Sequence, residues 1–329
     1  MPLPPADSAA PSATPRIAGF KGINNRIEPP RLGLDTLLVA GNSLCDNAGV
    51  LRRRPGTVVV AGEYVDLHAT RGGRLLALDT ANQLVEINPA GEATVWHTGI
   101  TGAPFQWAEL GYALFLQSAY GQWAIYPHQA MTWGSLCPAV PTDPDAVSDP
   151  ISYPPPLGDR LSARRGQLVV SAWEADRDRS ILYYSRPDYP HEFRLDRDWT
   201  MVPGRVTLLI NLPQGLLIGT DRALYVDTVD SPLTKLADFG ALPGEPAFEG
   251  SDSAVFWTQR GLCRALPLAL LTDAALTPSL RERASVGLFP WEGSTYAVVH
   301  QYGPAQLSPW SVATWPLPVT TEHSLGVTP

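Results

Sequence analysis

One arrangement of apolar and polar positions recurs along the chain. One or two turn residues lead into four or five apolar β-formers, and a small or polar break follows. The copies are GRLLALDT (Gly73–Thr80), YALFLQSA (Tyr112–Ala119), GQLVVSAW (Gly166–Trp173), QGLLIGTD (Gln214–Asp221), SAVFWTQR (Ser253–Arg260) and STYAVVHQ (Ser294–Gln301). Anchored on Leu75, Leu114, Leu168, Leu216, Val255 and Tyr296, they are spaced by 39, 54, 48, 39 and 41 residues. After most copies a short polar turn leads to a second apolar run: QLVEIN, QWAIYP, SILYYS, ALYVDT or LCRALP. The unit is a hairpin with flanking strands, and its length is that of a four-stranded propeller blade. Val, Ile, Thr and Tyr dominate, and no segment keeps a 3.6-residue period past two turns, so long helices are excluded. The sequence predicts an all-β fold, a β-propeller of about six blades within a range of five to seven.

The run LLIGT-DRA-LYVDT shows the local logic. Leu216 to Thr220 is almost continuously apolar, Asp221-Arg222 makes a turn, and Leu224 and Val226 alternate with Tyr225 and Asp227 on the return. A strand apolar at every position is buried on both faces. The six copies are therefore expected to be the innermost strands of their sheets: Leu75–Leu78, Leu114–Leu116, Leu168–Val170, Leu216–Ile218, Val255–Trp257 and Tyr296–Val299. Leu266–Ala284 departs from the pattern and predicts a short amphipathic helix or an excursion between blades. The proline-rich stretch Cys137–Asp159 predicts a surface crossover between blades or, alternatively, a projecting contact loop.

Composition sharpens this picture. The chain has 33 Pro and 28 Gly among 329 residues, a density of breakers that cuts it into short strands and turns. With 44% hydrophobic and 17% charged residues it can build a core. The formal net charge of −8 argues against a broad nucleic-acid surface, so DNA contact is expected to be incidental at most. Cys45, Cys137 and Cys263 are far apart and suggest neither a disulfide framework nor a zinc site. No apolar run is long enough to span a bilayer, so no membrane insertion is predicted. The opening MPLPPADSAAPSATPRIAG lacks the features of a secretory leader. It predicts an extended arm over residues 1–48, with the propeller over 49–329. Phe20, Ile23 and Ile27, with Leu32 and Leu34, are apolar anchors that an extended arm cannot bury against itself.

Two stretches carry a resemblance. The first is GFKGINNRIEPPRLG followed by AGNSLCDNAGVLRRRPG, matching at Phe20, Gly22, Ile23, Asn24, Asn42, Asp46, Gly49, Leu51, Arg54, Pro55 and Gly56. The second is GDRLSARRGQLVVSA followed by ILYYSRPDYPHEF, matching at Arg160, Leu161, Gly166, Leu168, Tyr184, Ser185, Pro187, Pro190 and Phe193. Together they cover about a quarter of the chain, and the GLLIGTD run follows the second. The chain resembles the propeller-bearing virion proteins of tailed bacteriophages, of the tail-nozzle, tail-tubular or neck–tail type. It is too short for the inserted domains of the larger members of that group.

Within the first stretch, Arg52, Arg53 and Arg54 concentrate cationic charge just before Val58-Val59-Val60. A strand at Thr57–Ala61 is expected to pair with the last blade and close the ring, removing open sheet edges. Arg54 is expected to hold a carboxylate or loop carbonyls there with its planar fork. Arg52 and Arg53 are the ones expected to be free to face a partner or a nucleic-acid lumen.

Candidate chemistry is sparse. His68, His97, His128, His191, His300 and His323 are scattered without a metal-binding spacing and are expected at surfaces or turns. Arg71-Gly72-Gly73-Arg74 reads as a turn rather than a phosphate loop, and no GxSxG elbow occurs. WEADRDRS (Trp173–Ser180) interleaves acids with Arg177 and Arg179, so it predicts a self-compensated hairpin tip rather than a calcium loop. Asp79, Glu109 and Asp221 sit at strand ends, but nothing pairs them as a glycosidase requires. The ten tryptophans are assigned to packing between blades, with a sugar-stacking platform as the alternative. No catalytic residue, metal or cofactor is predicted, and the chain is not expected to be an enzyme. What the resemblance implies is a structural protein of the phage tail, neck or tail tip, assembled in the bacterial cytoplasm. Its partners would be other tail or neck proteins and copies of itself in a ring. The alternative is a peripheral propeller adhesin for a host receptor or glycan.

Overall fold

The computed structural model describes residues 31, 43–45, 50–53, 62–137, 152–228, 233–272, 283–291, 294–302 and 312–316. Phe20, Ile23, Ile27, Arg54 and the expected closing strand at Thr57–Ala61 lie outside these residues. At the start, β1 (Ser43–Cys45) pairs antiparallel with β2 (Leu51–Arg53), with Ser43 opposite Arg53 and Leu44 opposite Arg52. This hairpin joins residues on both sides of the expected arm–propeller boundary. Arg52 and Arg53 are exposed on β2.

Antiparallel sheets then follow one another in chain order. The first holds β3 (Tyr64–Ala69), β4 (Leu75–Asp79), β5 (Gln83–Ile87) and β6 (Ala93–Thr98). The second holds β7 (Gln106–Leu110), β8 (Ala113–Gln117), β9 (Gln122–Tyr126) and β10 (Gln129–Thr132). In the third, β11 (Arg160–Arg164), β12 (Gln167–Glu174) and β13 (Arg179–Arg186) are consecutive, and β13 also pairs with β14 (Tyr189–Phe193) and β15 (Trp199–Pro203). The fourth holds β16 (Val206–Leu212), β17 (Gly215–Thr220), β18 (Leu224–Asp227) and β19 (Thr234–Ala237). The fifth holds β20 (Ala247–Glu249), β21 (Ser253–Thr258), β22 (Gly261–Arg264) and β23 (Ala269–Leu270). A three-stranded sheet of β24 (Arg283–Trp291), β25 (Ser294–Tyr302) and β26 (Val312–Pro316) comes last. The molecule is an all-β propeller with five full blades, a count inside the range read from the repeat.

The cores lie between the blades. Leu76, Leu78 and Leu84 of the first blade meet Trp107, Leu114 and Leu116 of the second. Phe115 and Ala113 turn the other way and join Leu161, Leu168 and Val170 of the third. Val169 turns away from that cluster to join Leu216 and Ile218 of the fourth blade. Leu217 joins Ala254 and Phe256 of the fifth, and Val255 and Trp257 join Ala297 and Val299 of the last sheet. Successive residues of the second strand in each blade thus feed two different cores, because strand side chains alternate between faces. That is why these strands are apolar at every position.

This corrects one sequence expectation. The repeated apolar runs are the second strands of their sheets, each flanked by hydrogen-bonded neighbours, and not the strands nearest the axis. Burial on both faces marks a strand sandwiched between adjacent blades. The strands that line the axis are the ones immediately before them. Of Leu266–Ala284, read as a short amphipathic helix or an excursion between blades, residues 273–282 lie outside the described residues; in the rest there is no helix, and Ala269–Leu270 and Arg283–Ala284 belong to β23 and β24.

Two other expectations are met in part: residues 138–151 of the proline-rich stretch lie outside the described residues, and the β12–β13 tip draws one counter-charge from the next blade. Residues 152–159 of the proline-rich stretch cross from the second blade to the third: Tyr153 exchanges backbone hydrogen bonds with Phe193, at 2.8 and 2.9 Å. Gln117 and Gln122 donate to the carbonyls of Gly158 and Pro156. At the β12–β13 tip, Arg179 donates to Glu174 at 2.7 Å, while Asp178 accepts both Nη groups of Arg222 from the fourth blade.

A tighter latch joins the third and fourth blades. The Arg164 guanidinium pairs with the Asp227 carboxylate, which also accepts the Tyr184 hydroxyl at 2.9 Å. Burial, with Asp227 alongside, pushes the Tyr184 phenol up. Both charged side chains are about nine-tenths buried, at 11% and 10% exposure. Removing one member of a buried pair strands the other charge. Asp227→Ala is therefore expected to lower stability by about 3–5 kcal/mol. Asp178→Ala, which breaks a pair more than half exposed, is expected to leave stability almost unchanged. Urea unfolding of the two variants against the parent checks both expectations.

Candidate functional site

The first strand of each full blade, β3, β7, β11, β16 and β20, borders a common cavity of about 80 Å³. Its walls include His68, Arg71, Glu109, Arg160, Asn211, Glu245 and Phe248, so every one of the five blades contributes. A cavity of this size takes several waters or a molecule of a few heavy atoms. Of these first strands β3 alternates rather than running apolar. In β3, Asp66 and His68 face the second blade, while Val65 and Leu67 on the opposite side are about half exposed.

One half of the wall is fully tied down. The His68 ring stacks on Trp107, with centroids 5.2 Å apart and planes parallel to within 1°. Its Nε2 lies 3.3 Å from Glu109 Oε1, which also accepts the Arg71 backbone N–H at 2.9 Å. The Arg71 side chain donates to the Asn211 carbonyl at 2.7 Å and lies 4.7 Å over the Phe248 ring. Beneath them Asp66 accepts N–H groups from Phe105, Trp107 and Leu67. Burial outweighs these bonds and raises the Asp66 carboxyl. Burial would raise Glu109 as well, but the bonds from His68 and Arg71 overcome it and hold the carboxyl below its ordinary value.

The other half is not. Arg160, at the start of β11, donates through Nε to the Thr207 carbonyl at 2.7 Å and through Nη1 to the Asp159 carbonyl at 3.2 Å. Burial lowers its pKa to about 10, so it remains a cation at neutral pH. Glu245 lines the same cavity, just before β20. Its backbone N–H donates to Ser285 Oγ at 3.2 Å and its carbonyl accepts from Val286 at 2.9 Å. Gly244 makes this approach possible: a Cβ there would lie 2.0 Å from the Ala284 carbonyl oxygen, and its φ is +153°. Glu245 is half-buried and lines the cavity. Burial raises its pKa, against the pull of His68, Arg160 and Arg283.

Of the residues singled out from sequence, the cavity collects Glu109, His68, Arg71 and Arg160. His68 was expected at a surface or turn, and instead it is stacked and paired inside the ring. Asp79 and Asp221 are elsewhere: Asp79 caps its own turn through the N–H groups of Ala81 and Gln83, and Asp221 accepts the Arg205 N–H. Arg52 and Arg53 do not line the cavity. Trp107, Trp133 and Trp257 are buried between blades, while Trp199 is 40% exposed. Glu245 escaped notice because no local spacing marks it. Its position depends on five strands meeting. Among the described residues, no three His, Cys, Asp or Glu side chains are grouped to hold a metal ion.

The fold and cavity define the chain as a β-propeller with a polar axis. No known protein family matches its sequence, and no curated protein does. Solved structures with a similar course include the AfRom2 CNH domain, at 7% identity and TM-score 0.42, over 79% of this chain and 88% of that one. YCF48 bound to D1 peptide matches at 10% identity and TM-score 0.38, over 74% and 80%. The extracellular domain of the one-component system BT4673 from B. thetaiotaomicron matches at 14% identity and TM-score 0.40, over 71% of this chain. This chain spans 31% of that protein's length. At such identities nothing about activity passes from these proteins to this one.

Glu245 gives the cavity a pH signature. Its folded pKa lies above the ordinary 4.5, so between the two values the folded protein retains a proton that the unfolded chain has released. Stability from this group is lost as pH rises through that window. Glu245→Gln removes the effect, so its melting temperature relative to the parent should rise with pH over the range that begins at the ordinary carboxyl pKa and ends at the raised one. A difference that is flat or falls over this range would show that Glu245 ionises freely in the fold.

Proposed function

We propose that this propeller is a structural component of a tailed-bacteriophage virion, placed at the tail or neck and acting by subunit contact rather than catalysis. What carries the reading is the second of the two resembling stretches and the work its residues do. Leu161 and Phe193 fill the core between the second and third blades, where Phe193 packs edge-on against Trp133 at 5.9 Å. Gly166 takes φ +77° in the β11–β12 turn. Ser185 Oγ, fully buried, accepts the Leu168 N–H at 2.9 Å. Arg160 and Tyr184 reach the fourth blade through Thr207 and Asp227. The motif therefore specifies a rigid blade docked on both neighbours. In this reading Phe20, Ile23 and Ile27 anchor the arm on an adjacent subunit, Arg52 and Arg53 face that partner, and copies of the chain form a ring with other tail or neck proteins.

The test is made on particles. Mass spectrometry of purified virions should find the chain at a fixed copy number per particle. A version lacking residues 1–40 should remain folded and soluble yet be absent from particles when it is the only copy supplied. If the parent protein is missing from purified virions, or the truncated one is incorporated at parental occupancy, the assembly role is wrong. Binding of the isolated protein to host cells would then favour the adhesin.

A further inference from the structure

We propose that the outer edge of the third blade, strand β15, is a pairing surface for a second copy of this chain. The two copies join as an antiparallel β-ladder about a two-fold axis at Thr200. The inference goes beyond the virion role and does not depend on it, because a two-fold contact joins two chains and no more.

β15 pairs with β13 in one unbroken register, from Trp199 opposite Tyr183 to Pro203 opposite Arg179. Among the described residues no strand pairs with its other side. Two bonds at the ends of the ladder fix which backbone groups look outward. The Tyr184 N–H donates to the Asp198 carbonyl at 2.9 Å, and the Gly204 N–H donates to the Asp178 carbonyl at 3.1 Å. Hydrogen-bonded pairs recur at every second residue of an antiparallel ladder. Thr200 and Val202 therefore bond to β13, while Trp199, Met201 and Pro203 turn their backbone groups away from it. The edge offers the N–H and C=O of both Trp199 and Met201, and Pro203, lacking an N–H, adds only a carbonyl. Open edges are usually guarded by charge, a bulge or a covering segment. The strand, WTMVP, carries no charge, its ladder has no bulge, and the Trp199 and Met201 side chains are 40% and 42% exposed. Pro203 guards one end only.

The edge is complementary to itself, and that selects the occupant. A two-fold axis at Thr200 sets Trp199 opposite the second copy's Met201, and Met201 opposite the second copy's Trp199. Both are hydrogen-bonded pairs, so four N–H···O bonds form and every outward group of these two residues is matched. Pro203 falls beyond the matched pairs, where no donor is needed. Trp199 and Met201 share one face of the sheet with Tyr183 and Ile181, their cross-strand neighbours. The pairing brings each thioether beside an indole on that face, a favourable contact, and it buries no charge. Five residues a side fall short of a standard interface, so the contact is weak.

The test uses the full chain. Sedimentation equilibrium should show a reversible monomer–dimer equilibrium with a Kd between about 10 µM and about 300 µM. Met201→Lys places a charge at the pairing without touching a bond to β13, and should raise that Kd at least about tenfold. Mild oxidation reads the register. Thr200→Cys chains should cross-link above the background of the parent's own cysteines, because directly opposed residues of an antiparallel ladder have Cα atoms about 4.5 to 5.5 Å apart, within disulfide reach. Pro203→Cys chains should not, since their two thiols lie six residues apart along the ladder, about 20 Å. A parent that stays monomeric up to about 1 mM, a folded Met201→Lys protein that dimerises as the parent does, or equal cross-linking at positions 200 and 203 would each overturn the assignment. Loss of particle incorporation by Met201→Lys in a protein that is monomeric throughout would assign the edge to a foreign strand, and overturns self-pairing as well. The parent's mass needs no variant, so an unfolded one leaves the test intact.

Discussion

The structure depends on the contact between neighbouring blades. A sheet of four strands has two faces and no core of its own, so each blade is stable only when both faces are covered. The second strand of each blade meets this demand most completely. Leu114 and Leu116 turn to the first blade while Ala113 and Phe115 turn to the third. In the next blade Leu168 and Val170 face back and Val169 faces forward. Each fully buried aliphatic or aromatic side chain contributes roughly 1.5 to 3 kcal/mol. The cores are therefore shared property, and loss of one blade uncovers the faces of two others.

The same arrangement explains why polar chemistry collects on the axis. Sheets that pack face to face around a ring bring their first strands together at the centre, where the faces diverge least and the walls cannot interdigitate to full density. Polar residues there need partners from other blades, and they find them over long sequence distances. His68 meets Glu109, Arg71 meets Asn211, and Arg160 meets Thr207. The axial wall is thus cross-linked by charge-assisted bonds, while the region around it is cross-linked by apolar contact. Glu245 is the exception, held in place by its backbone on β24 rather than by its side chain.

The first blade shows what happens to a face that no described blade covers. Toward the second blade it presents Leu76, Leu78 and Leu84, all buried. On its other side Ala77, Val85 and Ile87 are buried with Tyr64, but Val65, Leu67 and Val95 are about half exposed. The alternation in β3 is that of a strand with one solvated side, β6 is exposed over most of its length, and both contrast with the full burial of β8 and β17.

The sequence by itself determined the type of element and bounded the number of blades. Apolar runs such as Leu216–Thr220, closed by turn residues at intervals near forty, specify hairpins that must be covered on both faces, and only a radial stack of sheets satisfies that requirement repeatedly. It also marked the charged β12–β13 tip and the crossover into the third blade, because both are local arrangements of neighbouring residues. Tertiary structure decided which strands face the axis. Continuous apolarity records burial on two faces, which a strand between two blades has and a strand at a polar centre lacks, so the pattern pointed one strand too far along. It decided the cavity too. His68, Glu109, Arg160 and Glu245 lie on four different blades and span 177 positions from first to last, and no short-range spacing can encode a meeting that exists only once the sheets have packed in a ring.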